Sequence, residues 1–242
     1  MKSEAITYSM GPLTAEGALV YDERVSRKRP AVLMAPNRLG LTDEAIARAK
    51  LVAGDRYVVF VADMYGKRKR PADFKEAAAL ANPLRENAVE QRRRVRAAYD
   101  TLVAEAFRRN LIDGRRAAIG FCFGGGNVLE LARDGADIAA AVSIHGDLKT
   151  AAPAKPGAIK AALLVTHGAS DPVAPKADRD GFEREMDLAG AKWQMLVFSG
   201  VLHAYTDRGA DNPPVAAWNE PATRLTYALT QQFLSDAFAG RL

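Results

Sequence analysis

Six short apolar runs recur along the chain, at 31–35, 57–61, 117–121, 139–144, 162–166 and 194–198. Each is bounded by polar or turn residues, and none alternates strictly between apolar and polar. That pattern is expected of parallel strands covered on both faces, whereas a half-exposed sheet would alternate with a period of two. Helical periods fill the gaps. Thr42-Asp43 opens a helix over 44–52, with Gly54 after its end. Residues 85–109 put Val95, Tyr99, Leu102 and Ala106 on one face and leave most of the Arg92–Arg96 run off that stripe. Further helices are expected over 123–133 and 178–188. The last one carries Trp218, Leu225, Leu229 and Phe233 at helical spacing. An added antiparallel edge strand is expected at 17–21. The repeated strand–helix order predicts an α/β fold with a mainly parallel central sheet, right-handed crossovers and helices on both faces. Functional groups then belong beyond the C-terminal ends of the strands.

At 242 residues, with no linker or internal repeat, the chain is expected to form one domain over 1–242. A chain this long buries enough surface to stand without disulfide or metal staples. No apolar run approaches the ~18 residues that cross a bilayer, and the start Met1-Lys2-Ser3-Glu4 lacks a signal-peptide core, so a cytoplasmic protein without a membrane partner is expected. The net charge of +5 arises from 34 basic and 29 acidic residues. Basic residues gather at Arg24–Arg29, Lys67–Arg70 and Arg92–Arg96. No aromatic stacking pattern or nucleic-acid motif accompanies them, so they are taken as solvated faces rather than a polyanion site.

There is one cysteine, and its surroundings matter more than its number. Gly120-Phe121-Cys122-Phe123-Gly124-Gly125 has the form G-x-C-x-G-G, directly after a predicted strand and opening a predicted helix. It matches the G-x-S-x-G nucleophile elbow with Cys in place of Ser. The flanking glycines suit a turn too crowded for a Cβ. The helix N-terminus favours a thiolate, and the N–H of Phe123 points where an oxyanion would develop. A phosphate-binding glycine-rich turn is the competing interpretation of this segment alone. Further along, Asp171 lies on the loop after the 162–166 strand and His203 on the loop after the 194–198 strand. Nucleophile, acid and histidine in that order converge on one sheet edge. Of the other histidines, His145 and His167 both precede glycine in tight turns and are expected to be structural, His145 also being a candidate pocket residue with Tyr205. Asp178 and Asp180, inside the next helix, are expected at the surface.

The elbow, His167-Gly168-Ala169-Ser170-Asp171-Pro172-Val173, Val61-Ala62-Asp63-Met64-Tyr65-Gly66 and Gly200-Val201-Leu202-His203-Ala204-Tyr205 together resemble the dienelactone hydrolase family of α/β-hydrolases over nearly the whole chain. The resemblance implies an α/β-hydrolase fold and thiol-based cleavage of small carboxylic esters or lactones through Cys122, His203 and Asp171. It implies no metal and no organic cofactor. The backbone of Phe123, Asn37 and Arg38 would form the oxyanion hole, and a monomer or homodimer is expected. Two positions depart from the family. Its activating glutamate falls on Asn37, and its substrate-clasping arginine falls on Asp207, with Arg208 beside it. Activation would then rest on His203 and the elbow helix, and Asn37 would be free to donate a hydrogen bond to the oxyanion or substrate. Arg38 and Arg208 are the candidates to hold an anionic substrate. A non-catalytic relative that binds a small anion in the same pocket is the alternative.

Overall fold

The computed structural model describes residues 1–242. Eight strands make one sheet: β1 Lys2–Met10, β2 Leu13–Tyr21, β3 Arg29–Ala35, β4 Val58–Val61, β5 Ile112–Phe121, β6 Ala140–Ile144, β7 Ala162–Gly168 and β8 Trp193–Phe198. Their spatial order is β1-β2-β4-β3-β5-β6-β7-β8. β1 and β2 run antiparallel, and the others are parallel to one another. The helices are α1 Asp43–Ala53, α2 Phe74–Arg85, α3 Ala88–Arg108, α4 Phe123–Arg133, α5 Lys176–Ala189 and α6 Glu220–Phe238.

Two apolar layers follow from the strand pleat. On β3, Ala31, Leu33 and Ala35 face the layer shared with α3, α4 and α5, while Val32 and Met34 face α1 and α6. Both layers are apolar, with Phe60, Phe121, Phe123 and Phe182 fully buried, each contributing roughly 1.5–3 kcal/mol of transfer free energy. Four of the six helices, α1, α2, α3 and α6, start on a side-chain cap. Thr42 accepts the Ala45 amide at 3.1 Å to begin α1, and Gly190, left-handed at φ 67, closes α5. No helix is long and apolar enough to cross a membrane.

Several sequence expectations are corrected. The 17–21 segment is not an edge. It is part of β2, and β1 covers its free side. β1 carries a period-two signal in Ile6, Tyr8 and Met10, which turn inward between exposed neighbours. The 85–109 helix breaks at Glu86-Asn87, where the Asn87 side chain accepts the Glu90 amide at 3.1 Å and starts α3 afresh. Trp218 precedes α6 and Leu225 is largely exposed. Phe233 is buried as expected, and Ala222, Thr226, Thr230 and Leu234 complete the inward face of α6. Asp178 is buried, not at the surface, with Lys149 3.0 Å away.

Most of the clustered basic side chains have intramolecular partners. Arg92 pairs with Glu130 at 2.7 Å, Arg93 and Arg94 share Glu90 at 2.6 Å, and Arg96 meets Asp134 at 2.8 Å. Arg24 pairs with Asp22 at 2.8 Å and Lys67 with Glu16 at 3.1 Å.

Candidate active site

β5 and α4 meet at Cys122, whose φ of 53 lies in the left-handed region. The turn is possible because its neighbours lack side chains. A Cβ on Gly120 would stand 1.9 Å from the Gly124 carbonyl oxygen, and one on Gly124 would stand 2.0 Å from the Ala35 oxygen at the end of β3. The Cys122 amide donates to Ile144 O at 3.0 Å and to His145 Nδ1 at 3.2 Å, which ties the elbow to the end of β6. Phe123 supplies the first amide of α4, which has no carbonyl within the helix to receive it. It is therefore available to an anion beside the thiol, with the helix dipole behind it.

The loops after β7 and β8 bring the other two groups to this point. His203 Nε2 lies 3.1 Å from Cys122 Sγ, and His203 Nδ1 lies 2.8 Å from Asp171 Oδ2. All three residues are buried. Asp171 Oδ1 accepts the amides of Val173 at 2.8 Å and Ala174 at 3.2 Å, so the carboxylate cannot swing away from the imidazole. Burial disfavours the His203 imidazolium. The Cys122 thiolate charge and the Asp171 hydrogen bond outweigh that and push it up to about 10. For Asp171 burial opposes ionisation, yet the His203 hydrogen bond and charge hold its carboxyl below the usual range. This arrangement can carry a thiolate–imidazolium pair, with the imidazole placed to give and take one proton at Nε2.

The remaining sequence candidates separate. His145 and Tyr205 are fully buried. His145 Nε2 is 2.8 Å from Thr206 Oγ1, and burial lowers its pKa to about 3, so the ring is neutral. The Tyr205 hydroxyl is spent on Thr166 at 2.8 Å and Thr226 at 3.0 Å. The Asn37 side-chain amide has one of its two hydrogens committed. Its Nδ2 donates to Asp207 Oδ2 at 3.2 Å and its Oδ1 accepts the Leu39 amide at 3.0 Å. Arg38, half-buried, stacks over the Phe74 ring at 4.8 Å, and exposed Arg208 lies 5.9 Å from the Trp218 ring. His167 is internal, its Nε2 2.9 Å from Ala174 O and 3.4 Å from Asp171 Oδ2.

Two further groups stand at the site without having been expected there, Tyr65 from the 61–66 segment and Arg85. Tyr65 stacks on Phe123 at 6.0 Å, nearly parallel, and its hydroxyl donates to Arg38 O at 2.8 Å. Burial raises the Tyr65 pKa well above the ordinary phenol value. The Arg85 guanidinium lies 5.2 Å from the Phe123 ring and pairs with Asp147 at 2.7 Å. It comes from the last turn of α2, a helix with no counterpart in the sequence expectations. Beside Arg85 a groove of about 330 Å³ runs past Gly126, Asp147, Lys149 and Val173. No group of three or more His, Cys, Asp or Glu side chains is placed to hold a metal ion. Three of the five non-glycine residues with positive φ are Cys122, His145 and Ala204. Backbone strain, about 1–3 kcal/mol per residue, is thus gathered where the thiol and imidazole are aimed.

The model of the dienelactone hydrolase family matches residues 16–238. No curated protein matches the chain. Among solved structures, the protein m3DLH is similar at 33% identity over 98% of both chains, with a TM-score of 0.90. A dienelactone hydrolase-like promiscuous phosphotriesterase from metagenomic libraries is 31% identical over 98% of both chains, with a TM-score of 0.89. A dienelactone hydrolase from Anabaena variabilis shares the fold, at 16% identity, 97% coverage of each chain and a TM-score of 0.67.

Proposed function

The chain belongs to the dienelactone hydrolase family of hydrolases, and from that premise we propose that it cleaves small carboxylic esters or lactones through a thioester on Cys122. The observation that carries this reading is the His203 ring, 3.1 Å from Cys122 Sγ on one side and 2.8 Å from Asp171 on the other. In the first step the thiolate attacks the carbonyl carbon, and the carbonyl oxygen takes up the electron pair as an oxyanion. The amides of Phe123 and Arg38 donate to it. Collapse of that intermediate expels the alcohol oxygen, which takes its proton from His203 Nε2. In a lactone the ring opens and the alcohol stays attached. Water then gives a proton to His203 and attacks the thioester, releasing the acid and restoring the thiolate–imidazolium pair. Asp171 keeps Nδ1 protonated and the ring aimed throughout.

Arg38 and Arg208 have no carboxylate partner, and each stacks instead on an aromatic ring. That supports a substrate bearing a negative charge near either loop, since a guanidinium fork suits a carboxylate. The test is hydrolysis of a panel of activated esters, lactones and one phosphotriester, the last chosen because a 31% identical relative carries that activity in its name. Cys122→Ala and prior alkylation with iodoacetamide should each lower turnover at least about 10³-fold. Near-wild-type hydrolysis by Cys122→Ala would overturn the mechanism. A carboxylate-bearing ester should be preferred over its methyl-capped analogue, and Arg38→Ala or Arg208→Ala should shrink that preference. Equal rates on both substrates would overturn the anion assignment alone.

A further inference from the structure

Three loops must hold a common position for the chemistry proposed above: the one after β3, the elbow after β5 and the one after β8. Arg48, from the middle of α1, reaches toward all of them. Its side chain is only 10% exposed. The guanidinium lies 4.4 Å over the ring of Phe121, the residue before the nucleophile. Its Nη2 donates to Asp207 Oδ1 at 2.6 Å and its Nη1 to Thr206 Oγ1 at 3.4 Å, both on the histidine loop. Nη2 also stands 3.5 Å from Glu44 Oε1 at the outer rim.

From those two residues the connections continue. The second oxygen of Asp207 accepts Asn37 Nδ2 at 3.2 Å, and Asn37 Oδ1 accepts the Leu39 amide at 3.0 Å. The histidine loop is thereby fastened to the loop that carries the Arg38 amide. Thr206 Oγ1 is 2.8 Å from His145 Nε2, and His145 Nδ1 accepts the Cys122 amide at 3.2 Å. Because Nδ1 accepts, the proton of the neutral ring is on Nε2 and is donated to Thr206. The hydroxyl of Thr206 accepts from both His145 and Arg48. One cation thus anchors a hydrogen-bonded bridge with Asp207–Asn37 on one arm and Thr206–His145–Cys122 on the other.

We propose that Arg48 is a positioning residue, whose ion pair with Asp207 locks the oxyanion loop, the elbow and the histidine loop into one register. Stability alone gives little reason for such a pair. Desolvating two charges costs several kcal/mol, and well-packed apolar side chains of like volume often serve as well or better. What an apolar pair lacks is direction: Asp207 has one oxygen on Arg48 of α1 and the other on Asn37 of the loop after β3, and Arg48 meets two neighbouring residues of the histidine loop through two different nitrogens. The inference rests on the thiol-hydrolase reading for which loops matter, and its test includes a measurement that does not need turnover.

Arg48→Met keeps the stem and removes the charge, and Arg48→Met with Asp207→Asn removes both charges so that no carboxylate is left unpaired. In the double variant Tm should return close to wild type, while kcat on 4-nitrophenyl acetate stays about 10- to 100-fold down with KM changed less than about 3-fold, the scale set by a displacement of about 1 Å at a reacting centre. Amide hydrogen exchange should accelerate in residues 37–40 and 203–208 and not in α3. Wild-type kcat in the double variant, or a kcat that merely follows Tm, overturns the proposal. So does unchanged exchange in both loops, whether or not the protein turns over an ester. A wild-type protein that exchanges as expected yet hydrolyses nothing in the panel overturns the function reading and not the role of Arg48.

Discussion

Replacing Asp171 with Asn exchanges one oxygen for an NH₂ group, and the geometry determines which one. Oδ1 accepts two backbone amides, Val173 at 2.8 Å and Ala174 at 3.2 Å, whereas Oδ2 accepts His203 Nδ1 at 2.8 Å and has His167 Nε2, itself 2.9 Å from Ala174 O, 3.4 Å away. Turning the new NH₂ toward Val173 and Ala174 would leave buried donors facing a donor, at about 1–3 kcal/mol for each unsatisfied group. The asparagine oxygen therefore stays with the two amides, and the NH₂ faces His203 Nδ1. That nitrogen must now accept, so the proton of the neutral ring moves to Nε2, the atom 3.1 Å from Cys122 Sγ. In this tautomer the ring has no lone pair for the thiol proton, and an imidazolium in the same place faces a donor instead of a carboxylate. The equivalent tautomer error in a serine triad costs about 10⁴ in kcat. A thiol ionises more readily than a hydroxyl, so the expected loss here is about 10²–10⁴, or roughly 3–5 kcal/mol. The pH dependence carries its own sign. Burial lowers the His203 pKa, and the Cys122 charge and Asp171 bond raise it to about 10. The imidazolium persists below that value and is lost as pH rises through it. Removing the Asp171 charge should therefore move the alkaline limb of kcat/KM downward. The assay is kcat and kcat/KM on an activated ester from about pH 6 to 11, with circular dichroism to verify the fold. An Asp171→Asn enzyme within about 5-fold of wild type and with an unmoved alkaline limb would refute the orientation argument.

Gly124→Ala should lower Tm by roughly 3–10 °C, because its Cβ would stand 2.0 Å from the Ala35 carbonyl oxygen and backbone would have to move; an unchanged Tm in a thermal melt would contradict the close approach. Thr42→Ala removes the cap that accepts the Ala45 amide and should cost about 1 kcal/mol in urea unfolding, with m unchanged. Asp63→Ala strips the buried carboxylate that accepts the amides of Glu16, Tyr65 and Gly66 at 2.9–3.0 Å. It should cost about 3 kcal/mol or more by the same unfolding measurement, and hydrogen exchange should quicken around Tyr65.

Local pattern alone made the parallel sheet legible. Unalternating apolar runs such as Val58–Val61 and Ala140–Ile144 mark strands covered on both faces, and glycine at 120 and 124 marks a turn too tight for a Cβ. The chain order of Cys122, Asp171 and His203 is likewise visible, since each lies on the turn or loop that follows a predicted strand. The period-two signal of β1 is weaker, because only Ile6, Tyr8 and Met10 face inward among polar neighbours. The break at Asn87 and the buried face of α6 apart from Phe233 also escape periodicity. The first is decided by one capping hydrogen bond, and the second by which side chains fit against the sheet. What no local pattern encodes is the meeting of Arg48 with Asp207, 159 positions apart, and of Asn37 with Asp207, 170 positions apart. Periodicity records contacts two to four residues away, through strand pleat and helical turn. Contacts over such separations exist only once the crossovers have set α1 beside the loop after β8, and that placement belongs to the tertiary fold.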